Sequence, residues 1–145
     1  MKGKKKWDLE TMAVHLSREV DPGTGAVTPP IHLSTTFERA EDGSYPRHFL
    51  YSRLDNPNRQ SIERALSQLE GGTAAMAFSS GLAATSAILQ CFSSADHWIL
   101  PEDIYYGTGA LAREVYGRWG AECTFVDMTD LDLLADSFRP GTTMV

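Results

Sequence analysis

The chain contains no lysine beyond residue 6; all of its lysines (Lys2, Lys4, Lys5, Lys6) crowd into the amino terminus. Such a run reads as a solvated tail. No apolar stretch follows it, because Trp7, Asp8, Leu9 and Glu10 come next, which argues against a secretory leader. Nor does any uninterrupted apolar run approach the roughly 18–20 residues that cross a bilayer. There are only two cysteines, Cys91 and Cys123, far apart and without metal-ligand spacing. They read as buried, reduced thiols of a cytoplasmic protein. The histidines His15, His32, His48 and His97 are scattered, which excludes a histidine-built metal centre. A formal net charge of -6 removes nucleic acid from the expected partners of the body.

What the chain does have is an ordinary globular composition, 42% hydrophobic and 22% charged over 145 residues, enough for one domain with a real core. Its organisation changes near Asn56. Before that point Pro22, Gly23, Gly25, Pro29, Pro30, Gly43 and Pro46 interrupt any sustained period, and only residues 9–18 read as a helix. The same stretch carries Ile31, Leu33, Phe37, Phe49, Leu50 and Tyr51, too much apolar surface for a solvated linker. Residues 1–56 are therefore expected to form an arm that wraps a neighbouring subunit.

After Asn56 the pattern becomes regular. Asn56 and Pro57 open a helix whose apolar stripe is Ile62, Ala65, Leu66 and Leu69, and Gly71-Gly72 closes it. Strands are expected at residues 74–78, 97–100, 124–126 and 142–145. Helices are expected over 81–92, around Ala112–Val115–Tyr116–Trp119, and from Thr129 or Asp130 to Phe138. The helix over 81–92 is apolar nearly all round, as for one buried on several sides. Strands alternating with helices predict an α/β fold, the start of a doubly wound, mostly parallel sheet. A chain that stops as a strand begins is expected to be a fragment of such a fold.

The stretch AFSSGLAATSA (77–87) places Ser79, Ser80 and Gly81 at a strand-to-helix corner. Ligands of open α/β sheets bind at that edge, and a first helical turn offers unpaired N–H groups and a positive dipole end to an anion. Ser80 and Gly81 suit that task, yet a serine-capped helix with small residues for close packing fits the corner alone just as well. Neither G-x-G-x-x-G nor a Walker lysine is present. In YSRLDNPNR (51–59), Tyr51 and Arg53 lie two apart and, if extended, share a face; a guanidinium beside a phenol grips a phosphate dianion. In PEDIYYGTGAL (101–111), Tyr105 follows the second expected strand, where its ring could stack on a planar cofactor.

With TMAVHLSREVDPGTGAVTPPIHLSTTF, LEGGTAAMAFSSGLAAT and TFVDMTDL added in order, the chain resembles the first third of the pyridoxal-phosphate-dependent transsulfuration enzymes, the Cys/Met metabolism family. Cystathionine γ-synthase and cystathionine γ-lyase are members. The resemblance implies fold type I and the cofactor pyridoxal 5'-phosphate, with residues 57–145 the first part of the cofactor-binding large domain. It implies that Gly81 and Leu82 give backbone N–H groups to the cofactor phosphate, with Ser80 at the turn. Tyr105 would stack on the pyridine ring and act in proton transfer. Tyr51 and Arg53 would reach the phosphate held by a neighbouring subunit, in a homodimer or homotetramer with shared sites. The implied chemistry is γ-replacement or γ-elimination at a C–S bond of a homoserine-derived or cystathionine substrate.

The chain also departs from the family pattern. Where members show two glycines after the stacking tyrosine, Tyr106 takes the first place and Gly107 the second. Methionine γ-lyases tend to carry cysteine there, so Gly107 speaks against that activity. Leu54 and Ala110 stand where many relatives carry arginine. Pyridoxal chemistry needs a lysine amine that bonds the cofactor and shuttles protons, and the body from Trp7 to Val145 has none. The expectation is an amino-terminal part of such an enzyme, inactive alone; a non-catalytic dimerisation remnant is the alternative, and an unrelated nucleotide-binding domain lacks its glycine fingerprint.

Overall fold

The computed structural model describes residues 7–16, 18 and 20–145; the lysine tail lies outside the described residues. The polypeptide forms two compact units, one ending at Ala77 and one spanning Phe78–Val145.

In the first unit, Asp8 caps helix α1 (Leu9–His15), its carboxylate accepting the Thr11 N–H at 2.9 Å. The helix is shorter than its apolar pattern predicts. Helix α2 (Pro57–Leu69) follows its sequence signals closely. The Asn56 side chain accepts the Asn58 N–H at 2.8 Å, Pro57 occupies the first turn, and Gly71 leaves the helix at φ +67°, a conformation glycine tolerates without strain. Between the helices the chain is irregular but tied down. The Asn58 amide accepts the His32 N–H at 3.0 Å and donates to the His32 carbonyl at 2.9 Å, mimicking a strand pair with one side chain. Phe37 and Phe49 pack ring against ring at 5.2 Å, and Thr36 bridges Tyr51 antiparallel. Ile31 and Leu33 stay 82% and 90% exposed, so the apolar content of this segment is only partly used within the chain.

Residues 74–78 do not form the expected strand. An apolar run becomes a strand only if its amides find a ladder, and here the Ala77 N–H is taken by the Glu63 carboxylate of α2 at 2.8 Å.

The second unit holds the sheet. Helix α3 (Gly81–Leu89) leads to strand β1 (His97–Pro101), then α4 (Tyr106–Ala110), β2 (Glu122–Val126), α5 (Leu131–Asp136) and β3 (Thr142–Met144). The strands lie in the order β2-β1-β3, both pairings parallel, as the alternating pattern predicts. His97, Trp98, Ile99 and Leu100 are buried in succession, because a central parallel strand is covered on both faces. Trp98 anchors the core with Leu89, Tyr116 and Ala121, and the rings of Phe92, Trp98, Tyr116 and Trp119 meet edge to face at 5.4–5.8 Å.

Three expectations change. Helix α3 buries only Leu89 fully while Ile88 stays 58% exposed, so it is not enclosed on several sides. Residues 106–119 form no single amphipathic helix: α4 passes into a π-helical turn (Leu111–Tyr116) and a 3-10 turn (Gly117–Trp119), and Gly120 ends the run at φ +97°. The π turn aligns Arg113 with the Phe125 ring, its guanidinium carbon 4.2 Å from the centroid. Cys91 is exposed just past α3, its thiol directed to the Ala87 carbonyl, rather than buried. Cys123 is half-buried, and burial pushes its thiol pKa up. No helix among the described residues is long and apolar enough to cross a membrane.

Candidate functional site

The carboxyl edge of the parallel strands is where this topology gathers helix starts. Ser80 has extended backbone (φ -157°, ψ 158°) and caps α3 by accepting the Ala83 N–H on Oγ at 3.1 Å. The Ala84 N–H goes to the Ser80 carbonyl at 3.1 Å. Neither bond uses the amides of Gly81 and Leu82, which open the helix at its positive dipole end. The Ser80 hydroxyl still has its own proton to donate. At Gly81 a Cβ would meet nothing within 4 Å, so an anion can approach that backbone.

Tyr105 stands at the start of α4, directly after the loop that leaves β1, and is 73% exposed. Its Thr108 and Gly109 amides return to the Tyr105 carbonyl at 2.9 and 3.1 Å, which fixes the backbone under the ring. The ring lies back over its own helix. A Cβ at Gly107 would sit 2.7 Å from Tyr105 Cε1 and 3.4 Å from Leu82 Cδ2. Gly107 thus leaves a space that the Tyr105 ring and the Leu82 side chain both border. The structure brings Leu82 and Tyr105 together at one edge, with Ser80 and Gly81 beside Leu82 in the same turn. Further along α3, the Tyr116 hydroxyl donates to the Ser86 carbonyl at 3.0 Å and meets Ser86 Oγ at 3.1 Å, tying α3 to the helical run after α4.

Tyr51 and Arg53 belong to the other unit. They do come together, but not by strand alternation. The Leu54 and Asp55 amides both return to the Tyr51 carbonyl, at 2.9 and 3.0 Å, so YSRL is a turn rather than an extended segment. Within it the Arg53 guanidinium carbon lies 5.0 Å from the Tyr51 ring centroid. That stacking orders a long, exposed arginine without using its N–H fork.

Two features of the second unit escape sequence reasoning. Asp127 leaves β2 at the same edge that β1 leaves toward Tyr105, since Pro101 pairs with Val126. Its carboxylate accepts the Thr129 hydroxyl at 2.7 Å and N–H at 2.9 Å, and these bonds hold its pKa below the usual carboxylate range. At the opposite edge, buried His97 bridges the three strands, with Nδ1 2.7 Å from Thr142 Oγ1 and Nε2 2.8 Å from Thr124 Oγ1. Arg139 completes the cluster by donating to Thr124 Oγ1 at 2.8 Å and to the Glu122 carboxylate at 3.0 Å. Burial first, and then the Arg139 charge, push the His97 pKa below the ordinary imidazole value, while Glu122 pulls the other way. The partners lie 27 and 45 residues away, and no local pattern announces them.

With this geometry in place, comparison with known proteins places the chain. The model of the family described as "Cys/Met metabolism PLP-dependent enzyme" matches residues 10–145. Cystathionine beta-lyase MetC of Bacillus subtilis is 43% identical over 145 residues, covering 98% of this chain and 36% of that relative. Cystathionine gamma-synthase of Mycobacterium tuberculosis is 39% identical over 136 residues, covering 93% and 35%. Among solved structures, metB from Corynebacterium glutamicum superposes with a TM-score of 0.89 at 30% identity, over 96% of this chain and 37% of that one. Cystathionine gamma-lyase from Lactobacillus plantarum, complexed with L-serine, gives 0.85 at 34% identity, over 95% and 36%. The chain thus spans little more than a third of the relatives it matches. The match runs from α1 to β3 and includes the α3 corner and the Tyr105 loop: this chain belongs to the Cys/Met metabolism PLP-dependent enzyme family.

Proposed function

We propose that this chain is the amino-terminal part of a pyridoxal-phosphate-dependent enzyme that makes or breaks a C–S bond, by γ-replacement or γ-elimination on a homoserine-derived or cystathionine substrate. One observation carries the reading: the first turn of α3 leaves the Gly81 and Leu82 amides outside the cap bonds, and the Leu82 side chain and the Tyr105 ring border the same space above Gly107. A phosphate dianion needs several converging donors and room for its oxygens. The two amides and the Ser80 hydroxyl supply donors, and the free space at Gly81 supplies room. Tyr105 then offers its face to a planar ring whose phosphate rests on that turn, and its hydroxyl is the group placed to move a proton. The cofactor supplies an electron sink for carbanion chemistry.

Tyr51 and Arg53 are assigned to the phosphate of a neighbouring subunit's cofactor. The pre-stacked guanidinium supports this, as do the exposed Ile31 and Leu33 on the same irregular segment, which suit an arm covered by another protomer. A homodimer or homotetramer with shared sites follows. The two free thiols fit the cytoplasm. Relatives named for beta-lyase, gamma-synthase and gamma-lyase activity are all about 37–43% identical, so the names leave the choice of reaction to assay.

The 145-residue chain alone is assigned no turnover, because no lysine lies between Trp7 and Val145. Borohydride treatment with pyridoxal phosphate, followed by peptide mapping, should find no reduced adduct in that body. One there overturns the assignment, whereas labelling of Lys2–Lys6 or the terminal amine is expected. Extending the chain with the remaining two-thirds of a relative and assaying cystathionine and O-acylhomoserines tests the reaction class. Failure on all of them refutes it.

A further inference from the structure

Residues 73–79 carry the chain from α2 to the α3 corner and belong to no helix or strand. Among the described residues, Ala77 is the only one of them whose amide donates a hydrogen bond, and it donates to Glu63 Oε1 at 2.8 Å. The approach to the corner is therefore tied down at one point, by a side chain 14 residues earlier on α2.

Glu63 is itself held. Its side chain is only 19% exposed, and its Oε1 lies 3.5 Å from Arg59 Nε, one helical turn back. Arg59 in turn donates from Nη2 to the Leu54 carbonyl at 2.5 Å, with Asp55 Oδ1 3.5 Å from the same nitrogen. Leu54 closes the turn that carries Tyr51 and Arg53. All of these contacts lie within the first unit, and Ala77 is its last residue. An i,i+4 pair on a helix surface contributes little by itself. Here the same carboxylate oxygen also takes a backbone N–H outside the helix, a charge-assisted bond of the stronger kind.

We propose, resting on the assignment of the first turn of α3 as a phosphate site, that Glu63 is a positioning residue for that turn: it holds the Ala77 amide and so fixes the chain that delivers Ser80, Gly81 and Leu82, while Arg59 keeps its carboxylate in place. Ser80 lies three residues beyond Ala77, at most about 11 Å of extended chain, so freedom gained at Ala77 passes into the turn. Donors that are already ordered bind an anion without the cost of ordering them.

The test uses the 145-residue chain and pyridoxine 5'-phosphate, whose alcohol cannot condense with the amino-terminal lysines. Nitrogen-15 NMR follows the Gly81 and Leu82 amides for affinity and the Ala77 amide for hydrogen exchange. Glu63→Ala should weaken binding about fivefold, the worth of one hydrogen bond, and speed exchange at Ala77. Glu63→Gln keeps an oxygen for the Ala77 N–H and should restore most of that affinity, a rescue that a general loss of stability would not show. Arg59→Gln should speed exchange at Ala77 although Glu63 remains, and it decides alone if Glu63→Ala does not fold. Unchanged affinity or unchanged Ala77 exchange in the variants, or Glu63→Gln binding as poorly as Glu63→Ala, overturns the positioning role while leaving the phosphate site standing. If the Gly81 and Leu82 signals of the unaltered chain ignore the compound, the phosphate site itself fails and the role of Glu63 falls with it.

Discussion

Gly107→Ala and Gly109→Ala make a matched pair, two residues apart on one short helix, with opposite expected outcomes. At position 107 the new Cβ meets Tyr105 Cε1 at 2.7 Å. A carbon–carbon contact settles at about 3.5–4.0 Å, so Cε1 must retreat by about 0.8–1.3 Å. The ring is 73% exposed and can swing at little cost. Replacing glycine by alanine in a helix gains about 0.5–1 kcal/mol, so stability should hold or rise by up to about 1 kcal/mol while the ring changes place. At position 109, which is buried, the Cβ meets Arg113 Nη2 at 2.8 Å and Ile104 Cγ2 at 3.3 Å. The exposed Arg113 guanidinium must shift on the Phe125 face and Ile104 must give way by a few tenths of an ångström, and overpacking costs about 1–3 kcal/mol. Less the helix gain of about 0.5–1 kcal/mol, a net loss of up to about 2.5 kcal/mol is expected. Urea unfolding measures both variants, and NOEs between the Tyr105 ring and the Leu82 methyls report the ring. If Gly107→Ala destabilises by more than about 1 kcal/mol, or leaves those NOEs unchanged, Gly107 does not serve as the space for the ring.

Three further outcomes follow from the same contacts. Ser80→Ala removes the α3 cap and should cost about 1 kcal/mol, with faster hydrogen exchange at Ala83; unchanged exchange there would refute the cap. Because the folded pKa of His97 lies below its unfolded value of about 6.5, the unfolded chain binds the extra proton first. Stability is therefore complete above that pH and is lost as pH falls through it. Unfolding curves from pH 8 to 5 should show this slope, and His97→Gln should flatten it; equal slopes would assign the effect elsewhere. Asn58→Ala opens both bonds to His32 at an exposed site and should cost about 1 kcal/mol, with the His32 amide losing protection, while Asn58→Asp keeps only the accepting half.

How far the sequence could be read depended on whether a signal was local. Asn56-Pro57, the Ile62–Leu69 stripe and Gly71 fix α2 because a cap, a period and a left-handed glycine are all short-range. The strands β1, β2 and β3 and their parallel pairing follow from apolar runs alternating with helices, while their order in the sheet does not. Residues 74–78 misled because being a strand depends on a neighbour, and Glu63 supplied a different one. The turn at Tyr51–Leu54 was hidden for a related reason: spacing two apart says nothing until the backbone chooses between extended and folded. The Ser80 cap was legible from its place at a helix start and Tyr105 from its place after the second strand, whereas the helix that opens at Tyr105 was not. The clearance at Gly107 was not, since it depends on how one ring lies. The His97 cluster joins three strands and leaves no mark in any window of sequence.

The central claim is that the first turn of α3 cradles a phosphate group. Nitrogen-15 NMR of the 145-residue chain, titrated with pyridoxal phosphate and in parallel with pyridoxal, addresses it amide by amide. The Gly81 and Leu82 N–H signals should move downfield with the phosphorylated compound and stay in place with the unphosphorylated one, with Ala83, already held by Ser80, moving less. If those two amides ignore the phosphate, or respond equally to both compounds, the turn is only a capped helix start.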